Sequence, residues 1–216
     1  MKIAAVSENR LFFFGPAKGG NLEGESRSPS EDADEKALRE RCGSGDVSAF
    51  EELYRTHGGR MKSLAANLLG SRSDAEDAVQ ETFLKIYRGA SSFRGAAKLS
   101  TWTYRILVNT CLDQRRRKGR APDLTGSATK ADEPAGEIRA PAADHPLRMD
   151  LEASLASLEQ KHRTVFLLFE VEGFTHREVG EILGVPEGKS RTLLFESKRV
   201  LQRLLRRRGI SGEVRA

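Results

Sequence analysis

Apolar residues recur at helical spacing in two long stretches of the chain, residues 35–118 and residues 149–208. Steps of three and four residues are typical of helix faces, and glycine- and serine-rich turns separate the helices within each stretch. Neither strand-like alternation nor an internal repeat is visible in the sequence. The pattern predicts an all-α fold of two small helical domains.

The remaining segments have compositions that do not support a packed core. Residues 1–34 are rich in Gly, Ser, Glu and Asn, which predicts a largely disordered N-terminal extension. Residues 119–148 contain several prolines and glycines and few large apolar residues, which predicts a flexible linker. Residues 209–216 are expected to form a short tail.

Charge is distributed unevenly along the chain, whose net charge is +5. Residues 23–52 are mostly acidic, whereas residues 105–120 and 189–208 are strongly basic. A basic excess favours a polyanionic partner. The separation of the two signs favours one surface for nucleic acid and another for protein.

Residues that could bind a metal or perform catalysis are sparse in the sequence. Cys42 and Cys111 are the two cysteines, and neither belongs to a CxxC pair or lies at ligand spacing from a histidine, so neither a disulfide framework nor a zinc site is expected. Catalytic motifs, and the clustered carboxylates that a nuclease would need, are also missing. No apolar run reaches the length of a signal-peptide core or a membrane span. We therefore expect a non-catalytic, cytoplasmic protein with no metal, no cofactor and no membrane insertion.

The segment from Leu99 to Arg120 combines a helical apolar repeat with aromatic and basic residues. Trp102 and Tyr104 flank a face that continues to Asn109 and Asp113. Single-stranded nucleic acid needs cations for its phosphates and a flat apolar surface for an unstacked base. The alternative is a core tryptophan followed by a solvated helix end, where cations also suit the helix dipole. The basic residues at this end are Arg115, Arg116, Arg117, Lys118 and Arg120.

The loop at residues 91–100 directly precedes this helix and contains Phe93, Arg94 and Lys98. A flexible polar loop beside an aromatic residue is a candidate site for an extruded base. A plain connection between two helices is the alternative.

The segment from Asp74 to Arg88 predicts an amphipathic helix with one unusual position. Leu84 lies among Asp77, Gln80 and Glu81, on the side opposite the apolar face. A lone exposed leucine often has no function, but an apolar side chain surrounded by polar ones is also typical of a helix that docks on a partner. The apolar face carries Ala75, Ala78, Val79, Phe83 and Ile86.

The second stretch contains the pattern of a helix-turn-helix. Thr175 and Glu178 form a capping box that begins a helix, and Gly184 suits the left-handed conformation that ends it. Gly180 is small enough for a second helix to cross closely. The second helix of such a motif normally enters the major groove, and an ordinary helical hairpin is the alternative. Its exposed start would present Glu187, Lys189, Arg191, Thr192 and Phe195, whose side chains can contact base edges or phosphates.

The order of these segments resembles that of the extracytoplasmic-function sigma factors of bacterial RNA polymerase, over residues 37–118 and 151–205. The resemblance implies two helical domains that bind core RNA polymerase, single-stranded promoter DNA at the −10 element and duplex DNA at the −35 element, together with an anti-sigma partner. It rests on AFEELY at 49–54, DAEDAVQETF at 74–83, LSTWTYRI at 99–106, GFT at 173–175 and ILGVPEG at 182–188.

The resemblance also implies three groups of site residues. The group expected to bind core polymerase contains Asp77, Gln80, Glu81 and Leu84. The group expected to melt and capture the −10 element contains Phe93, Arg94, Lys98, Trp102, Asn109, Asp113, Arg115, Arg116 and Arg117. The group expected to contact the −35 element contains Glu187, Lys189, Arg191, Thr192, Phe195 and Lys198.

One segment departs from the family pattern. In residues 189–196 a leucine and a glutamate stand where basic residues are common, and Ser190 replaces a typical core valine. The departure concerns the −35 contacts more than the fold. A stand-alone helix-turn-helix regulator is the alternative function, but a simple repressor would not require the helix at residues 74–88 or the aromatic and basic helix that follows it.

Overall fold

The computed structural model describes residues 29–93, 95, 97–120 and 145–207, and all regular structure in these ranges is helical. The chain divides into two compact units, one that contains the helices of residues 29–120 and one that contains most of residues 145–207. The prediction of an all-α fold with two small helical domains is confirmed.

The described part of the N-terminal unit begins its helices at polar caps. Asp46 accepts a hydrogen bond from the Ser48 N–H at 2.9 Å, and Ser71 accepts one from the Asp74 N–H at 3.3 Å. Such caps satisfy backbone groups that the first turn of a helix leaves unpaired. The elements are α1 (Pro29–Gly43), α2 (Val47–Leu69), α3 (Arg72–Gly89), a short 3₁₀ turn (Ala90–Ser92) and α4 (Leu99–Arg120).

The core of this unit lies where α2, α3 and α4 pack together. Helix α1 packs on α2 and on the 3₁₀ turn, where Cys42, Ala49 and Ala90 form a smaller buried cluster. The outer side of α3, which includes Leu84, is left exposed. The large buried side chains of the main core are Leu53, Met61, Leu64 and Leu68 from α2, Val79 and Ile86 from α3, and Tyr104, Leu107 and Val108 from α4.

In the C-terminal unit, α8 packs against α5 and α6. The elements are α5 (His145–Ala156), α6 (Gln160–Phe166), a π-helical turn (Leu167–Val171), α7 (His176–Leu183) and α8 (Glu187–Arg207). Leu193, Leu194 and Leu201 are buried on one side of α8, and the opposite side is exposed. This opposite side carries most of the residues predicted to contact the −35 element.

Two helices begin earlier than the sequence composition predicts. Helix α1 begins at Pro29, within the extension predicted as disordered, and α5 begins at His145, within the predicted linker. Pro29 and Pro146 lie in the first turns of these helices. Proline is favoured there because the N–H that it lacks would have no helical partner, so proline content alone does not distinguish a linker from a helix start. The rest of the predicted extension, linker and tail lies outside the described residues.

Candidate nucleic-acid interface

The outer face of α3 brings together the four residues predicted to bind core polymerase. The Leu84 side chain is 55% exposed, and Asp77 and Gln80 are exposed beside it. The Glu81 carboxylate lies on the same face and forms an ion pair with the Lys85 ammonium at 2.8 Å. The face therefore presents one large apolar side chain within a polar surround.

Exposed aromatic residues extend this face, and the sequence analysis did not identify them. Tyr87 is 56% exposed and follows Leu84 by one helical turn, and Tyr54 of α2 is 45% exposed. The Tyr87 ring lies 5.0 Å from that of Phe50, and the Tyr54 ring lies 5.1 Å from that of Phe83. These pairs join α2 to α3, so the periodicity of α3 alone could not show them.

The predicted base-capture loop and the head of α4 meet through a parallel pair of rings. Phe93 stacks on Trp102 with a centroid distance of 4.5 Å and an interplanar angle of 15°. A β-carbon at Gly89 would lie 3.3 Å from Cζ2 of the indole, so glycine leaves room for Trp102. Lys98 is exposed near the end of the loop. Arg94, also predicted to bind the −10 element, lies outside the described residues.

Tyr104 does not belong to this aromatic surface, although the sequence placed it beside the predicted face. Its side chain is 1% exposed, and its ring makes an edge contact with His57 at 6.3 Å. The prediction was wrong because Tyr104 lies on the side of α4 that packs against α2 and α3. Trp102, two residues earlier, is half-buried.

The basic end of α4 is exposed, but several of its side chains are tied to neighbouring groups. Arg115 donates a hydrogen bond to the Leu68 carbonyl at the end of α2, with an N–O distance of 3.3 Å. Lys118 forms an ion pair with Asp74 in the first turn of α3 at 2.5 Å. These contacts hold the helix end in place, while Arg115 and Lys118 remain exposed. The other predicted members of this surface are Asn109 and Arg117, which are exposed, and Arg116, which lies 3.6 Å from the half-buried Asp113.

Helices α7 and α8 form the predicted helix-turn-helix. Both hydrogen bonds of the capping box between Thr175 and Glu178 are present. Gly184 has a φ of 66° and ends α7 in the left-handed conformation. A β-carbon at Gly180 would lie 2.7 Å from the Val185 carbonyl oxygen, so only glycine permits this approach of the turn to α7.

The serine that departs from the family pattern has a polar partner inside the motif. Ser190 is fully buried, and its hydroxyl lies 3.1 Å from Nδ1 of His176 at the start of α7. The His176 ring stacks on Phe169 at 4.2 Å. Burial lowers the pKa of His176, and the nearby Arg191 guanidinium lowers it further. A buried hydroxyl in place of valine is tolerated here because it forms a hydrogen bond.

The exposed start of α8 carries the residues predicted to contact the −35 element. The Arg191 guanidinium forms an ion pair with Glu187, one turn earlier, at 2.6 Å. Phe195 is 57% exposed, and Lys189 and Thr192 are also exposed. This part of α8 therefore presents charged, polar and aromatic groups on one surface.

Lys198 differs from the other predicted −35 residues because it is only partly exposed, and its ammonium is paired with Glu170 at 2.8 Å. Its exposed neighbours along the helix are arginines that were not identified from the sequence. Arg199 lies over the Phe195 ring at 5.7 Å, and Arg203 and Arg206 continue the exposed side. The steps of four, four and three residues from Phe195 to Arg206 were the available signal.

Within the described residues there is no cluster of three or more potential metal ligands. The two cysteines are buried, and burial raises the pKa of the Cys111 thiol to about 12. None of the described helices is long and apolar enough to cross a membrane.

Two family models match the chain, one in each unit. The model of Sigma-70 region 2 matches residues 53–121, which include α3, the loop and α4. The model of Sigma-70 region 4 matches residues 148–201, which include α7 and the first part of α8. The two matches contain nearly all the residues singled out above.

Curated relatives and a solved structure agree with these matches. The chain is 31% identical over 165 residues to the ECF RNA polymerase sigma factor SigM of Mycobacterium tuberculosis, covering 74% of this chain and 79% of the relative. It is 32% identical over 191 residues to the ECF RNA polymerase sigma-E factor of Escherichia coli, covering 82% of this chain and all of the relative. The fold is similar to that of the sigma factor RpoE in complex with the anti-sigma factor NepR from Bartonella quintana, with a TM-score of 0.62, 24% identity, and coverage of 74% of this chain and 98% of that chain. This chain therefore belongs to the extracytoplasmic-function sigma factors, which direct bacterial core RNA polymerase to specific promoters and initiate transcription.

Proposed function

We propose that three surfaces divide the work of this sigma factor. The docking face is the outer face of α3, with Asp77, Gln80, Glu81 and Leu84, and it binds core polymerase. The melting surface consists of the loop at residues 93–98, Trp102 and the exposed polar side of α4, and it binds the −10 element. The recognition surface is the exposed side of α8, and it binds the −35 duplex.

The docking face has the composition of a protein interface rather than of a nucleic-acid interface. Leu84 is exposed between carboxylates, which would repel phosphates. A buried apolar anchor with a polar rim is the usual anatomy of a protein–protein contact. Tyr87, one turn from Leu84, adds an exposed ring of a type that is enriched in such interfaces.

The stacking of Phe93 on Trp102 is the observation that carries the proposal for the −10 element. A base that leaves the duplex loses its stacking neighbours, and opening DNA costs about 1.4 kcal/mol for each stacked step. Stacking on an aromatic side chain returns about 1–3 kcal/mol for each base. A captured base that extends this stack therefore offsets much of the cost of opening one step.

The polar side of α4 supplies what the separated strand needs beyond stacking. Arg115, Arg116 and Arg117 provide cations for phosphates at the end of the helix. Asn109, exposed between the rings and the arginines, can hydrogen-bond to a base edge. Asp113 holds Arg116 at 3.6 Å and limits the directions in which that guanidinium points.

On the recognition surface, base contacts and phosphate contacts fall to different parts of α8. Lys189, Arg191 and Thr192 lie near the helix start, the part that meets base edges in helix-turn-helix proteins. Glu187 forms an ion pair with Arg191 and orients its guanidinium. Arg199, Arg203 and Arg206 extend the surface toward the other end, where they can bind phosphates. A stand-alone helix-turn-helix regulator would account for this surface only and would leave the other two without a role.

Permanganate footprinting of open complexes, with core polymerase and duplex promoters, tests this division of work. We expect Phe93→Ala to lower thymine reactivity at −10 about tenfold, because about 1–3 kcal/mol of stacking is lost. Templates already melted at −10 should partly restore its activity. The double variant Arg115→Ala with Arg116→Ala should also lose salt-sensitive affinity.

A pull-down assay with core polymerase separates docking from melting. We expect Leu84→Glu to abolish core binding and Phe93→Ala to retain it. Undiminished reactivity in both the Phe93 and the arginine variants would show that the melting surface does not open DNA. Wild-type retention of Leu84→Glu on core polymerase would remove α3 from the docking contact.

The proposed binding to core polymerase also indicates how this sigma factor is regulated and where it acts. The similar RpoE was solved with an anti-sigma factor, and we infer that an anti-sigma factor also binds this chain and covers its exposed docking face. We place the protein in the cytoplasm, where core polymerase transcribes, and assign it no chemical step of its own.

A further inference from the structure

Helix α1 lies against the loop of the melting surface, although the family match begins only at residue 53. Its residues Leu38 and Cys42 pack on the cluster that contains Ala90, in the 3₁₀ turn just before the loop. The apolar contact fixes one side of α1 next to the loop. Glu35 lies one turn before Leu38, and Arg39 directly follows Leu38.

Glu35 ties α1 to the other end of the loop. Its carboxylate oxygen Oε1 accepts a hydrogen bond from the Leu99 N–H at 2.5 Å. Leu99 is the first residue of α4, so this carboxylate caps the N-terminus of the helix that carries Trp102. Helix α1 therefore contacts both ends of the loop, through Ala90 and through Leu99.

Arg39 lies directly on the loop backbone. A β-carbon built on Gly95 would lie only 2.7 Å from Cζ of Arg39, so the guanidinium rests where any larger residue would place its side chain. Gly95 also has a φ of 72°, which L side chains rarely adopt. Gly95 therefore permits the turn of the loop and leaves the space in which the Arg39 guanidinium lies.

We propose that Arg39 is a further contact for single-stranded DNA and that α1 forms a wall of the −10 site. Gly95 follows Phe93 by two residues, so their α-carbons are at most about 7 Å apart. A guanidinium at this distance can reach the phosphate attached to a base that stacks on Phe93. Its planar donors suit phosphate oxygens, and it remains half-exposed to receive them. This inference rests on the proposed melting surface and adds a residue from outside the family match.

The test measures, by fluorescence anisotropy, the affinity of the holoenzyme for a single-stranded −10 non-template oligonucleotide over a range of salt concentrations. We expect Arg39→Ala to weaken binding roughly ten- to a hundredfold, as loss of a charge-assisted hydrogen bond does. The slope of log affinity against log salt should fall by about 0.7, the value for one phosphate contact on a single strand. Arg39→Lys should keep most of the slope because it keeps the charge.

Arg55→Ala is the matched control, because it removes an equal charge from the exposed surface of α2 in the same unit. It should leave both affinity and slope unchanged. If Arg39→Ala weakens binding with no change in slope, and Arg39→Lys is equally weak, then Arg39 only shapes the loop and the inference is overturned.

Phe93→Ala, measured in parallel, separates this inference from the function on which it rests. A loss of affinity in Phe93→Ala without one in Arg39→Ala overturns the Arg39 contact and leaves the melting surface in place. No loss in either variant overturns both. Thermal melting of each variant shows whether a weak variant is still folded. If alanine is not tolerated, Arg39→Gln carries the test, because it also removes the charge and should lower both affinity and slope.

Discussion

The two surfaces that we propose to bind DNA are built in different ways. The recognition surface lies along one regular helix, α8. Helical spacing between Glu187 and Arg206 determines which of its residues share that surface. The melting surface depends on contacts between elements distant in sequence. Phe93 meets Trp102 across a loop, and Glu35 of α1 caps the helix that begins at Leu99.

This difference determines how each surface responds to substitution. On a regular helix, one exposed side chain can be removed without moving the others, so each contact can be tested singly. Such a surface depends as a whole on the approach of α7 to α8, which is fixed at Gly180. In the loop, by contrast, removal of Phe93 changes the shape of the site as well as one contact.

The largest effect on the recognition surface is therefore expected from Gly180→Ala. The added β-carbon would lie 2.7 Å from the Val185 carbonyl oxygen, and backbone must move to accommodate it. Overpacking of this kind costs about 1–3 kcal/mol. Urea unfolding should show this loss in the C-terminal unit, and affinity for every −35 sequence should fall together.

Gly188→Ala is the control for this change. Apart from its chain neighbours and the backbone of its own helix, a β-carbon at Gly188 meets no described atom within 4 Å, and Gly188 is the second residue of α8. Alanine should therefore stabilise the helix by up to about 1 kcal/mol. Equal stability of the two variants would show that the contact at Gly180 does not hold the motif together.

A more selective effect separates the two parts of α8. If the Arg191 guanidinium contacts a base edge, as we propose, Arg191→Ala should cost about 1–3 kcal/mol and relax preference at one −35 position. Arg203→Ala should weaken all promoters alike and reduce the salt slope by about one. A matrix of −35 point mutants, titrated at several salt concentrations, measures both quantities. If Arg191→Ala weakened binding equally at every −35 sequence, Arg191 would, like Arg203, be assigned to a phosphate contact.

Helical spacing in the sequence was sufficient to predict much of this architecture. The exposure of Leu84, the capping box at Thr175 and the left-handed Gly184 all follow from residues within a few positions of each other. Local rules work there because each depends on backbone geometry within one or two turns. The family resemblance added the order of the domains and the function.

Contacts between elements were not accessible in the same way. The side on which Tyr104 packs depends on α2 and α3, and the sequence alone placed it wrongly. The contact of Arg39 with Gly95 joins residues 56 positions apart, and no local pattern indicates it. Ser190 was identified as a departure, but its partner His176 lies on another helix, so only the structure shows why it is tolerated.

The smallest expected effect is a pH dependence at this His176–Ser190 contact. Burial lowers the pKa of His176 below its usual value of 6.5. Among its charged neighbours, Arg191 and Lys198 also oppose protonation, whereas Glu187 and Glu170 favour it. When the pH falls through about 6.5, the unfolded chain therefore binds a proton before the folded chain does.

The unfolding free energy should consequently be highest above about pH 6.5 and decrease as the pH falls toward the lowered pKa of the folded state. His176→Asn keeps a polar group near Ser190 but cannot titrate, so its urea midpoint should fall less over the same pH range. His162, which lies 3.0 Å from Glu196, is present in both proteins and cancels in the comparison. Parallel pH profiles for the two proteins would show that His176 does not take part in this linkage. A steeper profile for the wild type would show that the recognition helix is tied to α7 by a neutral imidazole, a link that the melting surface lacks among its described residues.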